Sequence, residues 1–153
     1  MTDYDWNTLE DAVLAALNAR LGDRVKTLKT YQGDYRSDLK RQGWRLPAVL
    51  VMLRQSRAEQ VAAGSFDVEL DFTILAAARQ LRGEDAGRRA AGGVYEILAG
   101  VRLALWHQDL DLEILPFSLV REEPLLNTRE FIVYAAHYRT GAVRDVLEGG
   151  PGT

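Results

Sequence analysis

The stretch SFDVELDFTILAA, residues 65–77, decides the fold of this chain. Its apolar side chains stand at every second position, and charged or hydroxyl side chains stand between them. This period of two predicts one long β-strand, which we expect over residues 66–76. One face of that strand belongs to the core and the other to water, as in antiparallel sheets that are covered on one side only. The apolar positions are Phe66, Val68, Leu70, Phe72 and Ile74, and the polar ones are Asp67, Glu69, Asp71 and Thr73.

Two amphipathic helices flank this strand in the sequence. The first is predicted near residues 9–21, where Asn7 or Thr8 caps its start and Gly22 ends it. The second follows a glycine-rich stretch, and its apolar residues again recur every three to four positions. Two such helices suffice to cover one face of a sheet. The two apolar stripes are Leu9, Val13, Ala16, Leu17 and Leu21, and Ala90, Val94, Ile97, Leu98, Val101 and Leu105.

Shorter strand patterns complete the predicted sheet. LPAVLVML is a nearly continuous apolar run that predicts a buried strand with Pro47 at its start. EFIVYAAHYRT predicts a central strand because both its faces are largely apolar. The order of elements predicts an α+β fold, with a single mainly antiparallel β-sheet of four to five strands and two helices packed on one face. Strand structure is predicted at residues 25–31, 46–53, 110–122 with a bend near Pro116, and 130–140, and one helical turn at residues 35–41.

The composition is that of one globular domain. The chain has 153 residues, of which 47% are hydrophobic and 27% are charged, an ordinary balance for a packed core. Cysteine is absent, which excludes disulfides and thiolate metal sites. We expect residues 1–153 to form a single domain with an ordered core at 6–140 and a flexible tail at 147–153.

Charge and hydropathy narrow the range of partners. The formal net charge is −3 and the isoelectric point is about 5.4, which argues against a general nucleic-acid binder. The N-terminal stretch MTDYDWNTLED is acidic and polar, unlike a secretory signal. No apolar run approaches the roughly 18 residues that suggest a membrane span. We therefore expect a cytoplasmic protein with no membrane partner and no specific nucleic-acid sequence to bind.

The stretch GEDAGRRAAGG, residues 83–93, raises the alternative of a small enzyme that binds a nucleotide or another ligand. Gly87 and Gly92 have the spacing of the glycines in a phosphate-binding loop, whose motif continues with Lys and with Ser or Thr. Gly93 and Val94 occupy those two positions, so the groups that hold phosphate and magnesium are missing. The alternating strand before the stretch also differs from the buried strands of parallel sheets. We expect a flexible connecting loop instead.

Charged side chains cluster on this predicted loop and on the predicted wet strand face. Four arginines stand against two acids from residue 79 to residue 89, which leaves a local charge of +2. Such a segment suits an acidic surface, although a solvated loop explains the charge equally well. The acidic strand positions point in parallel, so alternation explains them better than a calcium or acid–base site does. The arginines are Arg79, Arg82, Arg88 and Arg89, and the acids on predicted strand faces are Asp67, Glu69 and Asp71, and Asp109, Asp111 and Glu113.

The remaining reactive side chains form no catalytic or metal-binding pattern. The two histidines, His107 and His137, lack the close partner that metal sites require. There is no cysteine nucleophile and no G-x-S-x-G elbow around any serine. The three tryptophans, Trp6, Trp44 and Trp106, are predicted to pack in the core or in an interface. We expect no catalytic residue, no metal and no cofactor.

The order of these patterns resembles a known family. An N-terminal helix comes first, and a "P-A-V-L-V" strand at residues 47–51 and then the long alternating strand follow it. The helix "G-x-Y-x-I-L-x-x-V-x-x-x-L" at residues 93–105 and the strand "V-Y-A" at residues 133–135 come next. This layout, over roughly residues 9–138, resembles the small tail-gene proteins of Mu-like phages and prophages, which are similar to phage tail terminator, or tail completion, proteins.

The resemblance implies a structural role without catalytic residues. Tail terminators form a hexameric ring that caps the tail tube, joins it to the head connector, and meets the sheath in contractile tails. On this basis we expect a virion protein whose partners are further copies of itself, the tail tube protein, and the sheath and head-connector proteins. Another head–tail or tail-assembly adaptor is the alternative. The hypothesised contacts with the ring neighbour or the tube are Arg79, Arg82, Arg88, Arg89, Asp67, Glu69 and Asp71.

Overall fold

The chain folds as an α+β domain, as the sequence predicts. The structure is a computed structural model, and it describes residues 4–41, 43–80 and 84–145. Arg82 and the predicted flexible tail at 147–153 lie outside the described residues. The elements, in chain order, are α1 (Trp6–Leu21), β1 (Thr27–Thr30), α2 (Tyr35–Arg41), β2 (Ala48–Ala62), β3 (Ser65–Arg79), α3 (Glu84–Arg89), α4 (Val94–Leu105), β4 (Ser118–Asn127) and β5 (Phe131–Asp145).

The five strands form one sheet in the order β1-β2-β3-β5-β4. Strand β3, the predicted long strand, lies at the centre and is antiparallel to both of its neighbours. Only the short β1 pairs in parallel, with β2. The prediction of a mainly antiparallel sheet of four to five strands is therefore confirmed, and β5 occupies the interior position that its two apolar faces indicate.

The first face of the sheet is covered along its length by α1 and α4. The even-numbered residues of β3 from Val68 to Ala78 pack there with the buried residues of both helices. Gly100 of α4 lies so close to Leu21 of α1 that a side chain at residue 100 would clash. The predicted cap of α1 is wrong, because Asp5 caps the helix and accepts the Thr8 N–H at 2.7 Å. Asp5 stands three residues before that N–H, within reach of a short carboxylate.

The second face of the sheet is covered at one end only. We call the end formed by residues 48–53, 72–79 and 131–138 the near half, and the end formed by residues 54–62, 65–71 and 139–145 the far half. In the near half, Leu39 of α2 and Trp44 pack on Leu50, Leu75 and Val133. In the far half this face is polar. The predicted wet face is therefore confirmed for residues 67–71 and wrong for Thr73, which is 4% exposed.

Strand β2 is longer than predicted and ends in an exposed segment. The apolar run that predicts it stops at Leu53, but pairing with β3 continues to Ala62. Every side chain from residue 54 to residue 62 is exposed, so no alternation marks these residues in the sequence. Strand β1 pairs only with residues 48–51, which leaves residues 54–62 without a neighbouring strand on their outer side in the described part of the chain. We call residues 54–62 the open edge.

The segment before β4 is a turn and not the predicted strand. Strand β4 begins at Ser118, and Leu110 and Asp111 have φ angles of 55° and 60°. The Asp109 carboxylate accepts the Asp111 N–H at 3.0 Å, which is the local side-chain bond that favours a turn over a strand. The alternation of Leu and Asp there imitates a strand pattern. No helix in the described ranges is long and apolar enough to cross a bilayer.

Candidate functional site

The glycine-rich segment is a short helix and a turn, not the predicted flexible loop. Residues Glu84–Arg89 form α3, and the turn after them leads into α4. Gly92 has a φ of +80°, which favours glycine. A side chain on Gly93 would lie within 2.9 Å of three backbone oxygens, so only glycine fits there. The two glycines therefore serve the tight turn between two helices.

The start of α4 is occupied by a side chain of the same helix. The Gly92 N–H donates to the Glu96 carboxylate at 2.8 Å, and that carboxylate also pairs with Arg24 at 3.2 Å. In a phosphate-binding loop, free backbone N–H groups at this place hold the anion. Here an internal carboxylate takes the Gly92 N–H, and the motif's Lys and hydroxyl are missing from the sequence. The geometry thus offers no support for the nucleotide alternative.

Three of the four predicted arginines, Arg79, Arg88 and Arg89, are described, and they gather at the near end of the sheet. Arg79 ends β3 and lies 5.8 Å from the centre of the Phe131 ring. Arg88 donates to the Tyr95 hydroxyl at 3.0 Å and lies 3.6 Å from Asp85. Arg89 also lies 3.6 Å from Asp85, and its side chain is 68% exposed. Arg88 thus joins the end of α3 to the start of α4, while Arg89 presents its charge to solvent.

The predicted acids lie at the other end of the central strand. Twelve residues separate Asp67 from Arg79 along β3, or about 40 Å at the rise of an extended strand. Glu69 and Asp71 are held by two arginines of the neighbouring strands that the sequence analysis missed. Arg57 pairs with Glu69, and Arg139 lies 2.8 Å from Asp71 and 3.2 Å from Glu69. The structure therefore separates the predicted arginines from the predicted acids within one subunit.

These pairs determine the ionisation of Asp71. Partial burial raises the pKa of this carboxyl, but hydrogen bonds from Arg139 and Gln55 outweigh burial and leave the pKa below its ordinary value of 3.8. The Gln55 amide donates at 2.7 Å. The hydrogen bond to Asp71 raises the pKa of Arg139 in turn. The polar side chains of the far half thus form hydrogen bonds and ion pairs with one another.

Asp67 differs from the two other acids of its strand. Its cross-strand partner on β2 is Glu59, so two carboxylates face each other next to the open edge. Both side chains are exposed, and neither has an ion pair within the described residues. We call Glu59 and Asp67 the acidic pair. Together with Leu115 they line an open groove of about 1120 Å³. Only the strand register could have shown Glu59 to belong to this surface.

A hydroxyl, an imidazole and a carboxylate stand in line across the sheet. The Thr73 hydroxyl lies 2.9 Å from His137 Nδ1, and His137 Nε2 lies 2.6 Å from the Glu123 carboxylate. Catalytic triads have the same order of groups. However, Thr73 is 4% exposed, so a substrate has no path to its hydroxyl. The arrangement is a hydrogen-bond network that connects three strands, and no sequence pattern indicates it because the partners are far apart in the chain.

An exposed apolar stripe runs along α4. Tyr95, Leu103 and Trp106 lie on one side of the helix and are 42%, 61% and 42% exposed. Trp106 stacks on His107 with ring centres 5.0 Å apart. We call these three residues the α4 stripe. The predicted packing role is confirmed for Trp44, which is 7% exposed, whereas Trp6 and Trp106 remain 42% exposed in this single chain.

The second set of predicted acids forms no ladder. Asp109 and Asp111 belong to the turn before β4, and the Glu113 N–H donates to the Tyr4 hydroxyl at 2.7 Å. The prediction that these acids share a strand face is therefore wrong. Within the ranges that the structure describes, no group of three or more His, Asp or Glu side chains is arranged to hold a metal ion.

Comparisons with known proteins give one family. The sequence model described as "Bacteriophage Mu, Gp37" matches residues 7–141, from the first turn of α1 well into β5. The match covers most of the chain and includes both charged ends of the central strand. No curated protein matches the chain.

Proposed function

The chain belongs to the Bacteriophage Mu, Gp37 family, and from that membership we propose that it is a tail terminator or tail-completion subunit. In this role it forms a ring on the last ring of the tail tube and joins the tube to the head connector. The observation that carries the proposal is the family match over residues 7–141. The step from phage protein to terminator rests on the similarity in layout to tail terminator proteins.

The distribution of charge supports a ring-forming subunit. A ring needs a heterologous contact, in which one surface of each copy meets a different surface of the next. This subunit carries the exposed Arg79 at the near end of β3 and, at the far end, Asp67 and Glu59, which have no ion pair among the described residues. Surfaces of opposite charge set register and specificity more than raw affinity.

The proposed partners follow from the ring. They are further copies of the chain, six by resemblance, the tail tube protein, the head connector and, in a contractile tail, the sheath. The proposed contact residues remain Arg79, Arg82, Arg88 and Arg89 on the basic side and Asp67, Glu69 and Asp71 on the acidic side. The protein is made in the host cytoplasm and ends in the virion tail. No catalytic step and no cofactor belong to this proposal.

Deletion of the gene from the phage or prophage that encodes it tests the proposal. We expect tails of irregular length and heads without tails, because a terminator stops tube growth and supplies the surface for the connector. Electron microscopy of lysates measures both. Tails of normal length that fail to join heads would instead indicate a head–tail adaptor. Normal particles would refute a role in tail completion.

A charge reversal of the basic segment tests the proposed contacts. Replacing Arg82, Arg88 and Arg89 with Glu should leave a folded protein, because Arg89 is 68% exposed and Arg88 lies outside both core clusters. The variant should fail to complement the deletion and should give tails of irregular length. The melting temperature of the purified variant is the control for folding. Full complementation would show that the segment is a solvated connector.

Calorimetric titration separates the structural role from the nucleotide alternative. We expect no heat of binding when ATP or GTP is added with magnesium, because the Glu96 carboxylate occupies the Gly92 N–H at the start of α4. Saturable binding at micromolar concentration would contradict the assignment of a purely structural role.

A further inference from the structure

We propose that the open edge of one subunit docks on the α4 stripe of a second copy of this chain. The acidic pair, Glu59 and Asp67, then faces Arg89, and Val61 packs against the α4 stripe. This inference rests on the proposed ring, and it deepens that proposal by naming the two surfaces that meet.

The open edge has the features of an edge strand that another molecule can cover. All nine of its side chains are exposed, and its outer backbone groups have no neighbouring strand in the described part of the chain. Exposed strand edges are liabilities that proteins shorten, cover or protect with charge. This edge is neither short nor covered, and although Arg54, Arg57 and Glu59 give it charge, Val61 on it is 55% exposed. Its length and its apolar residue indicate a surface that another molecule covers.

The acidic pair indicates that the surface which covers the open edge carries positive charge. Like charges directly opposite each other on neighbouring strands repel. On the same face, Glu69 and Asp71 are neutralised by Arg57 and Arg139, so the acids of this strand are compensated up to residue 69. The compensation stops at Glu59 and Asp67, which face each other without an ion pair among the described residues. The partner that fits here brings a cation together with an apolar side chain.

The end of α3 and the outer side of α4 supply both groups on one surface. Leu103 is 61% exposed and Trp106 is 42% exposed on the outer side of α4. The contact of Arg88 with Tyr95 holds the end of α3 beside Tyr95, the first residue of the stripe, and the next residue, Arg89, has a side chain that is 68% exposed. An apolar stripe bordered by arginine matches an edge that carries Val61 beside two carboxylates.

The match of charge and apolar character identifies the occupant as a second copy. The two surfaces are different parts of the same chain, so their contact is heterologous and repeats from copy to copy. Repetition closes a ring when the rotation between copies allows it, as the proposed function requires. A separate partner protein need not be invoked, because one sequence carries both halves of the contact.

Variants of each surface test the contact. We compare the wild-type chain with Glu59→Arg/Asp67→Arg and with Arg89→Ala/Leu103→Ser, by light scattering after size-exclusion chromatography. We expect the wild-type chain to assemble and both variants to elute as folded monomers. The control Asp11→Arg/Asp23→Arg makes the same charge change as the first variant on exposed side chains elsewhere. This control should assemble as the wild type does.

Mixing the two variants gives the decisive measurement. Each variant keeps one intact surface, so the two chains should form a dimer in a mixture, and the dimer should add no third chain. No complex in the mixture, or normal assembly of either variant alone, would overturn the contact and leave the ring proposal intact. A wild-type chain that stays monomeric at every concentration and does not bind tail tubes would overturn both.

Discussion

The near and far halves of β3 share one buried face but differ on the other. In the near half, residues 72–78 are buried on both faces, because α2 and Trp44 cover the second face. In the far half, Val68 and Leu70 are buried, whereas Asp67, Glu69 and Asp71 remain accessible to solvent. A single strand thus contributes to the interior of a layered domain at one end and to a one-sided sheet at the other.

The difference shows how one face of a sheet is buried at one end and kept exposed to solvent at the other. In the near half, apolar side chains bury this face. Such burial stabilises the fold by about 25 cal/mol for each Å² of apolar surface removed from water. The far half stays wet because Arg57, Arg139 and Gln55 pair with the acids across the strands. Exposed pairs of this kind contribute little to stability, about 0–1 kcal/mol each. The far half is therefore available for contacts that the near half cannot make.

The largest expected effect comes from breaking the face that both halves share. Leu70→Asp and Leu98→Asp each place an unpaired charge at a core position that is 3% or 4% exposed. The cost, several kcal/mol, is comparable to the whole stability of such a domain, about 5–15 kcal/mol. We expect neither variant to fold, as measured by circular dichroism and thermal melting. Soluble variants that melt cooperatively would show that this face is assigned wrongly.

Removal of the cover on the near half should have the next largest effect. Trp44 is 7% exposed and meets Tyr31 edge to face with ring centres 5.1 Å apart. Trp44→Ala should lower the free energy of unfolding by about 3–5 kcal/mol, the usual cost of deleting a buried tryptophan. Urea denaturation measures the change. The matched control is Trp106→Ala, which should cost less than about 1 kcal/mol because Trp106 is half exposed.

The near half was only partly predictable from the sequence. The run from Ile74 to Ala78 carries no polar residue, which is a sign of burial on both faces, but the prediction assigned one wet face to the whole strand. The helical turn at residues 35–41 was also predicted at the bounds that the structure shows. That this turn covers the second face was not predictable, because only the fold places Leu39 over Leu75.

The far half was less predictable for a different reason. The acids of β3 were visible as an alternating pattern, but their cations lie twelve and sixty-eight or seventy residues away, on β2 and β5. Glu59 faces Asp67 only through the register of two strands that join at the turn after Ala62. Charge patterning along one segment does not contain that information. The glycines, in contrast, were recognised but assigned to a loop, because glycine marks a helix-to-helix turn and a mobile loop in the same way.

Loss of one cation in the far half should have a moderate effect. Arg139→Gln removes the partner that lies 2.8 Å from Asp71, although Arg57 remains near both acids. We expect the free energy of unfolding to fall by about 1 kcal/mol at neutral pH. Arg121→Gln is the control, because Arg121 is 62% exposed and its only described pair is with Glu123 on its own strand. Equal losses in both variants would show that the pairs around Asp71 have no special strength.

The smallest expected effect is on the free energy of unfolding at acidic pH, and it arises from the far half. The pKa of Asp71 is lower in the folded chain than its ordinary value of 3.8, since its hydrogen bonds from Arg139 and Gln55 outweigh its partial burial. The unfolded chain therefore binds this proton more readily, and stability that is fully present above pH 4 is lost as the pH falls through the folded pKa. Asp71→Asn removes this contribution, so its free energy of unfolding should be lower than wild type at pH 6 and should fall less steeply below pH 4. Urea denaturation at a series of pH values measures both curves. If the wild-type and Asp71→Asn curves have the same slope below pH 4, the pairs of the far half do not hold the Asp71 carboxylate in its charged form.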